Sequence, residues 1–279
     1  MHTESIVSGI PVYIDGESPD IIVMLHGWPD SHEIWARQVQ HFKRTHRCVR
    51  FTLPGFDDPK TRGFSISEIT GLILRVVNQV SPNGRVTLML HDWGCLFGFH
   101  FAATHPHKVA RIVAVDVGDA SSPAFKRGLS LRAKWMIFAY QMPLALTWYL
   151  QGPVGDYLAR ATAKYLRCKT DPASIHAGMS YPYAMRWMGA RGGLKNLMGP
   201  TQLACPIFYA YGSYKPFQFQ SEQWLQTLST SPGCKVVLFK SSHWVMVDCA
   251  EGFNRAVSDW LAPQECEGPS SPSAAWPSH

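Results

Sequence analysis

Little in this chain points to a polymer, a membrane interior or a metal as its business. Only 16% of the 279 residues are charged, and although the formal net charge is +6, the lysines and arginines are scattered along the sequence. No basic run or nucleic-acid motif appears, so nucleic acid is not an expected partner. The densest group, Lys43-Arg44-Thr45-His46-Arg47, suits the end of a helix, where cations are favoured, and the charge reads as solubility. The seven cysteines are odd in number and form no Cys-x-x-Cys pair, which excludes a disulfide framework. The N-terminus lacks the charged-then-apolar layout of a signal peptide, so a reducing cytoplasm is the expected location. Twelve histidines include one tight pair, His105-Pro106-His107, with no ligand constellation around it, and no metal site is expected. Gly94 and Gly98 follow an apolar strand without the rest of a phosphate-binding fingerprint, so no cofactor is implied. No internal repeat is visible. No apolar stretch reaches the roughly 20 residues of a membrane span, so no membrane partner is expected.

What is present is a globular composition, 46% hydrophobic, long enough to bury one large core. β-rich apolar runs alternate with helical patterns: Ile10–Ile14, Ile21–Leu25, Cys48–Leu53, Arg85–Leu90, Arg111–Asp119, Pro206–Gly212 and Lys235–Phe239. This order predicts an α/β protein whose mostly parallel sheet is covered by helices on both faces. The most informative stretch is Leu90-His91-Asp92-Trp93-Gly94. It places a carboxylate at a sharp strand-to-helix junction, where backbone N–H groups favour an anion. An aspartate there also reads as an ordinary helix N-cap. Two further loops bear on that choice. His26-Gly27-Trp28-Pro29-Asp30 follows an apolar strand with turn-forming residues, and Ser241-Ser242-His243-Trp244 follows the late strand and precedes an amphipathic helix.

These three pieces, in this order, resemble the α/β-hydrolase family over roughly residues 5–262. The aspartate between histidine and tryptophan, with a His-Gly-x-Pro loop upstream, looks like the epoxide hydrolase and haloalkane dehalogenase branch. That resemblance implies a nucleophilic Asp92 that forms an alkyl-enzyme ester and a His243 that activates water to hydrolyse it. It also implies oxyanion-hole N–H groups at Trp28 and Trp93, a substrate-binding role for His26, and no cofactor. The third triad member departs from the usual pattern. The run after Gly212 is Ser213-Tyr214-Lys215-Pro216, with lysine where many relatives carry an acid. Asp116 aligns with an alternative acid position after the preceding strand, and Asp119 is the weaker candidate. An aspartate at a strand end also reads as a partner for neighbouring backbone.

About 85 residues separate the strand ending near Asp119 from the one starting at Pro206, too many for a simple connection. The expected division is a hydrolase core of residues 1–119 and 201–262, a helical lid of 120–200, and a disordered tail of 263–279. The lid begins with an aromatic, methionine-rich and leucine-rich run, Trp135–Leu150, which fits a helix over an apolar pocket, with a homodimer contact as the alternative. In the resembling epoxide hydrolases, lid tyrosines donate hydrogen bonds to the epoxide oxygen. Tyr140, beside Gln141, and Tyr183 are the candidates carried over, among other lid tyrosines that pack. The expected substrate is a small apolar epoxide attacked with water as co-reactant. A haloalkane is the alternative, and a non-catalytic, ligand-sensing protein on the same fold is the alternative of another class.

Overall fold

Among the described residues, eight strands pair into one sheet in the order β1-β2-β4-β3-β5-β6-β7-β8. The computed structural model describes residues 2–262, and the expected tail, 263–279, lies outside the described residues. The strands are β1 (His2–Val7), β2 (Ile10–Asp15), β3 (Ile21–Leu25), β4 (Arg47–Phe51), β5 (Val86–His91), β6 (Val109–Val115), β7 (Ile207–Gly212) and β8 (Lys235–Phe239). β1 and β2 join antiparallel, as do β2 and β4. From β4 to β8 every pairing is parallel.

A parallel strand in the middle of such a sheet needs apolar cover on both faces. β3 supplies five apolar residues, all buried. Alternate side chains divide between two cores. Ile22, Met24, Met89 and Val113 pack with Trp35, Phe42 and Phe253 on one face, and Val23, Leu25, Leu88, Leu90 and Ile112 pack with residues of the opposite helices on the other. The helices are α1 (Ala36–Phe42), α2 (Ile66–Val80), α3 (Trp93–Thr104), α4 (Pro123–Gly128), α5 (Leu131–Leu150), α6 (Gly152–Tyr165), α7 (Tyr181–Met188), α8 (Glu222–Thr230), α9 (Val245–Asp248) and α10 (Ala250–Leu261). α2 starts at a capping box in which the Ser65 hydroxyl accepts from the Glu68 N–H while the Glu68 carboxylate accepts from the Ser65 N–H.

The connection between β6 and β7 is an insertion of four helices, α4 to α7. α5 is capped by Ser130, whose hydroxyl accepts from the Ala133 N–H at 3.1 Å. It runs unbroken through Gln141 and Pro143. Pro143 faces solvent, so the carbonyl it leaves unpaired one turn earlier, at exposed Ala139, can be hydrated. The insertion is tied to the loop after β3 and to α9 by polar contacts: the Thr170 hydroxyl donates to Asp30 at 2.6 Å, and Lys169 pairs with Asp248 at 2.7 Å.

Candidate active site

Five loops leave the C-terminal ends of β3, β5, β6, β7 and β8, the edge of a parallel sheet where ligands are generally bound. The β5 loop carries Asp92 at φ 50° and ψ −120°, between the largely buried strand β5 and α3. That positive φ is rare for a residue with a side chain. The turn tolerates no bulk on its inner side, because a Cβ at Gly94 would meet the carbonyls of Leu25 and His26, and one at Gly27 would meet the Asp92 side chain. The β3 loop therefore lies directly against the β5 turn. The Trp28 N–H donates to Asp92 Oδ2 at 2.8 Å, and the Trp93 N–H at the start of α3 lies beside the carboxylate and helps to favour its charge. Asp92 makes no side-chain cap to its helix, so the N-cap alternative for its carboxylate is not what the geometry shows.

The other Asp92 oxygen faces His243, with Nε2 3.5 Å from Oδ1. On the far side of the ring, His243 Nδ1 bonds to Asp116 Oδ2. Asp116 leaves the end of β6 at φ 67° and is fully buried. Its Oδ1 accepts from the Gly212 N–H at 2.9 Å, and its Oδ2 accepts also from Lys215 Nζ at 2.5 Å. The site is thus a row of alternating charge: Asp92, His243, Asp116, Lys215. Burial alone would push both carboxyls up. The hydrogen bond and charge of His243 hold Asp92 below its ordinary value, and the charges of Lys215 and His243 hold Asp116 below its own. Burial would lower His243, but the charge and hydrogen bond of Asp116, reinforced by Asp92, raise it to about 9. Burial outweighs Asp116 at Lys215 and lowers it.

The His243 loop is pinned on both sides. His91 Nε2 donates to the His243 carbonyl at 3.2 Å, and the Trp244 indole donates to buried Asp30 at 2.9 Å. The sequence singled out neither His91 nor Asp30 for this supporting role, since each partner lies more than a hundred residues away. Lys215 stood out only as a missing acid; its bond to Asp116 depends on β6 and β7 being neighbours, which spacing does not reveal.

The insertion closes over this row with Tyr140 from α5 and Tyr183 from α7. The Tyr183 ring meets Trp28 edge-on at 5.6 Å and Trp93 edge-on at 5.2 Å, and Tyr140 lies 6.5 Å from Tyr183. Burial and then the charge of Asp92 push the Tyr140 and Tyr183 hydroxyls up, so both stay protonated near neutrality. The Gln141 amide donates to the Tyr140 oxygen at 2.7 Å, and its orientation is fixed because the Trp187 indole, a donor only, must meet the Gln141 carbonyl, 3.0 Å away. The Tyr140 proton is left free for a third party. Arg186, three residues beyond Tyr183, adds its positive charge near both hydroxyls; it too went unremarked in the sequence.

Not every expected residue reaches the site. His26 is fully buried, its Nε2 accepts from the Leu53 N–H at 2.8 Å, and its Nδ1 meets the Gly27 carbonyl at 2.9 Å. Burial lowers it to about 4. With both nitrogens committed to backbone, His26 shapes the loop and presents nothing to a substrate, which corrects the expectation. Asp119 accepts from the Ser221 N–H and hydroxyl, each at 2.6 Å, and anchors the start of α8. Tyr149, Tyr157 and Tyr165 point to solvent. Tyr181 packs against Phe56 and Phe64. Among the described residues no group of three or more His, Cys, Asp or Glu side chains could hold a metal ion.

A family profile described as alpha/beta hydrolase fold matches residues 20–247. Epoxide hydrolase 2 of Caenorhabditis elegans is 30% identical over 128 residues, which are 44% of this chain and 36% of that protein. A haloalkane dehalogenase of Mycolicibacterium smegmatis is 32% identical over 110 residues, 37% of this chain and 35% of that one. These matches span little more than a third of the relatives' own length. A Bacillus megaterium epoxide hydrolase, solved with an inhibitor, superposes with a TM-score of 0.68 at 19% identity, covering 93% of this chain and 99% of that one. At that identity the likeness is one of fold.

Proposed function

Since the chain belongs to the alpha/beta hydrolase fold family, we propose that it hydrolyses epoxides through an ester on Asp92, with residues 120–200 acting as a lid. The reading is carried by the Tyr140 hydroxyl, which accepts from Gln141 and so has its own proton to give, beside a second buried tyrosine above the nucleophile. Asp92 Oδ1 attacks a ring carbon and the carbon–oxygen bond opens. The released oxygen takes a proton from Tyr140 or Tyr183 and becomes a hydroxyl. A general acid placed this way typically contributes about 10²–10⁴ in rate.

Esterification removes the negative charge of Asp92, one of the two anions that keep His243 protonated. The imidazolium can then pass its proton to the tyrosinate left by ring opening and become the base that takes one from water. Hydroxide attacks the Asp92 carboxyl carbon, and the charge developing on Oδ2 meets the Trp28 and Trp93 N–H groups. Collapse breaks the bond to the alkyl oxygen, which takes the proton of the new carboxyl hydroxyl, so that a diol leaves and the Asp92 carboxylate is restored beside a protonated His243. An oxyanion donor of this kind is typically worth about 2.7–4 kcal/mol. Asp116 orients the ring throughout, so Lys215 at the customary acid position does not leave His243 without a carboxylate. This removes the motive for a non-catalytic reading.

One observation favours a second reading, haloalkane dehalogenation: the buried Trp28 indole N–H has no acceptor, as a donor reserved for a departing halide would not. Intact-protein mass spectrometry of His243→Ala separates the two. With epoxides and haloalkanes offered in turn, we expect an adduct of the whole epoxide mass, absent from Asp92→Asn. An alkyl adduct lacking its halogen would assign the second reading. No adduct from either class, with folded protein, would refute both.

A further inference from the structure

α5 is apolar on two opposite sides. Its inner side, with Ile137, Leu144 and Ala145, is buried against the insertion and the site. Its outer side carries Leu131, Trp135, Phe138, Leu146 and Leu150 at spacings of four, three, eight and four residues, one stripe along the helix. These side chains are in solvent: Leu131 is 79% exposed and Trp135 69%. α6 packs beside α5 and repeats the arrangement, with Val154, Tyr157, Leu158 and Tyr165 outward and Gly155, Ala159 and Ala163 inward. Tyr157 is 69% exposed and Tyr165 82%. A helix that is apolar all round is normally buried, and a contiguous apolar surface of two helices marks a docking site.

Charge says what docks there. Residues 120–200 hold eleven lysines and arginines against two acids, while the rest of the chain holds fifteen against eighteen. The net positive charge, which the sequence read as solubility, is therefore concentrated in the insertion. Both acids are spent internally, Asp156 on the Ala177 N–H and Asp171 on the Ala173 N–H. Arg132 and Lys134 border the stripe on α5 and Lys164 borders it on α6, all exposed and with no acidic partner among the described residues. A second copy of the chain fits poorly. A two-fold contact would set this face against itself and bring like charges together.

We propose that the outer face of α5 and α6 docks on the surface of an anionic lipid bilayer. Tryptophan, tyrosine and leucine at the crest enter the headgroup region, and the flanking lysines and arginines meet lipid phosphates and carboxylates. The protein lies on the bilayer and does not cross it; among the described residues no helix is long and apolar enough to span one. The proposal departs from the expectation of no membrane partner, and it is independent of which substrate is hydrolysed.

The test is co-sedimentation of the full chain with phosphatidylcholine vesicles and with vesicles that also contain phosphatidylserine, at low and high salt. Binding is expected to the mixed vesicles and to weaken with salt. Arg132→Glu combined with Lys134→Glu should cut partition about twenty-five-fold or more, at about five-fold per lost cation. Trp135→Glu combined with Tyr157→Glu should abolish it. All four positions are exposed, and thermal melts matching the parent show that the variants fold. Absence of binding, or binding indifferent to phosphatidylserine and to both variant pairs, overturns the proposal. So does a stable dimer in sedimentation equilibrium that Trp135→Glu dissociates, which would assign the face to a second copy.

Discussion

At the scale of single residues the site is an electrostatic row whose members set one another's protonation. His243 sits near 9 because two carboxylates flank it, so Asp92→Asn should move its titration downward, read by imidazole NMR. A downward shift is also what the proposed ester on Asp92 would require before His243 could activate water. Retention of the value near 9 in Asp92→Asn would mean that Asp116 alone sets it. Tyr140→Phe and Tyr183→Phe should each slow ring opening by about a hundred-fold in single-turnover measurements, and the double variant by more. Neither change should alter alkylation by a haloalkane, which has no ring oxygen to protonate. Lys215→Met strips a buried cation from Asp116, and removal of one partner from a buried pair typically costs about 3–5 kcal/mol, measurable by denaturant unfolding.

The elements explain why some of this was legible in the sequence. The turn around Asp92 is local: an apolar strand, a positive-φ residue and a glycine that must pass the carbonyls of Leu25 and His26. Gly94→Ala is accordingly expected to destabilise by about 3 kcal/mol or more, or to yield no soluble protein, since the obstruction is backbone. Strand β8 and the helix before His105 likewise follow from short-range pattern. β1 does not, because His2–Val7 is mostly exposed and shows no clean alternation. Only the resemblance ranked Asp116 above Asp119; as strand-end acids the residues themselves do not separate them. Their separation needs Ser221, a hundred residues on, to claim one of them, and β7 to lie beside β6. The sequence run beginning at Trp135 hid the first turn of α5, since Arg132 and Lys134 interrupt the apolar pattern that Ser130 caps. The Thr170 hydroxyl fastens the insertion to Asp30, and Thr170→Val should cost about 1–3 kcal/mol by leaving a buried carboxylate oxygen without that donor.

For the molecule as a whole, buried His26 and half-buried His243 shape stability against pH in opposite directions. Between about 6.5 and 9 His243 is protonated in the folded chain and neutral in the unfolded one, so its contribution is complete below about 6.5 and is lost as pH rises through about 9. His26 is the reverse: between about 4 and 6.5 only the unfolded chain binds its proton, so stability falls as pH falls through that window. Melting temperatures recorded across pH should peak near 6.5, and Asp92→Asn should flatten the alkaline side. A melting curve rising steadily toward pH 9 would contradict the assignment of a charged His243. Finally, β6 and β7 are parallel neighbours, and their ends bring Asp116 and Lys215 to the same spot. The support of the imidazole therefore hangs on the register of one strand on the other: a slip between β6 and β7 would take from Asp116 both the Lys215 ammonium and the Gly212 N–H at once.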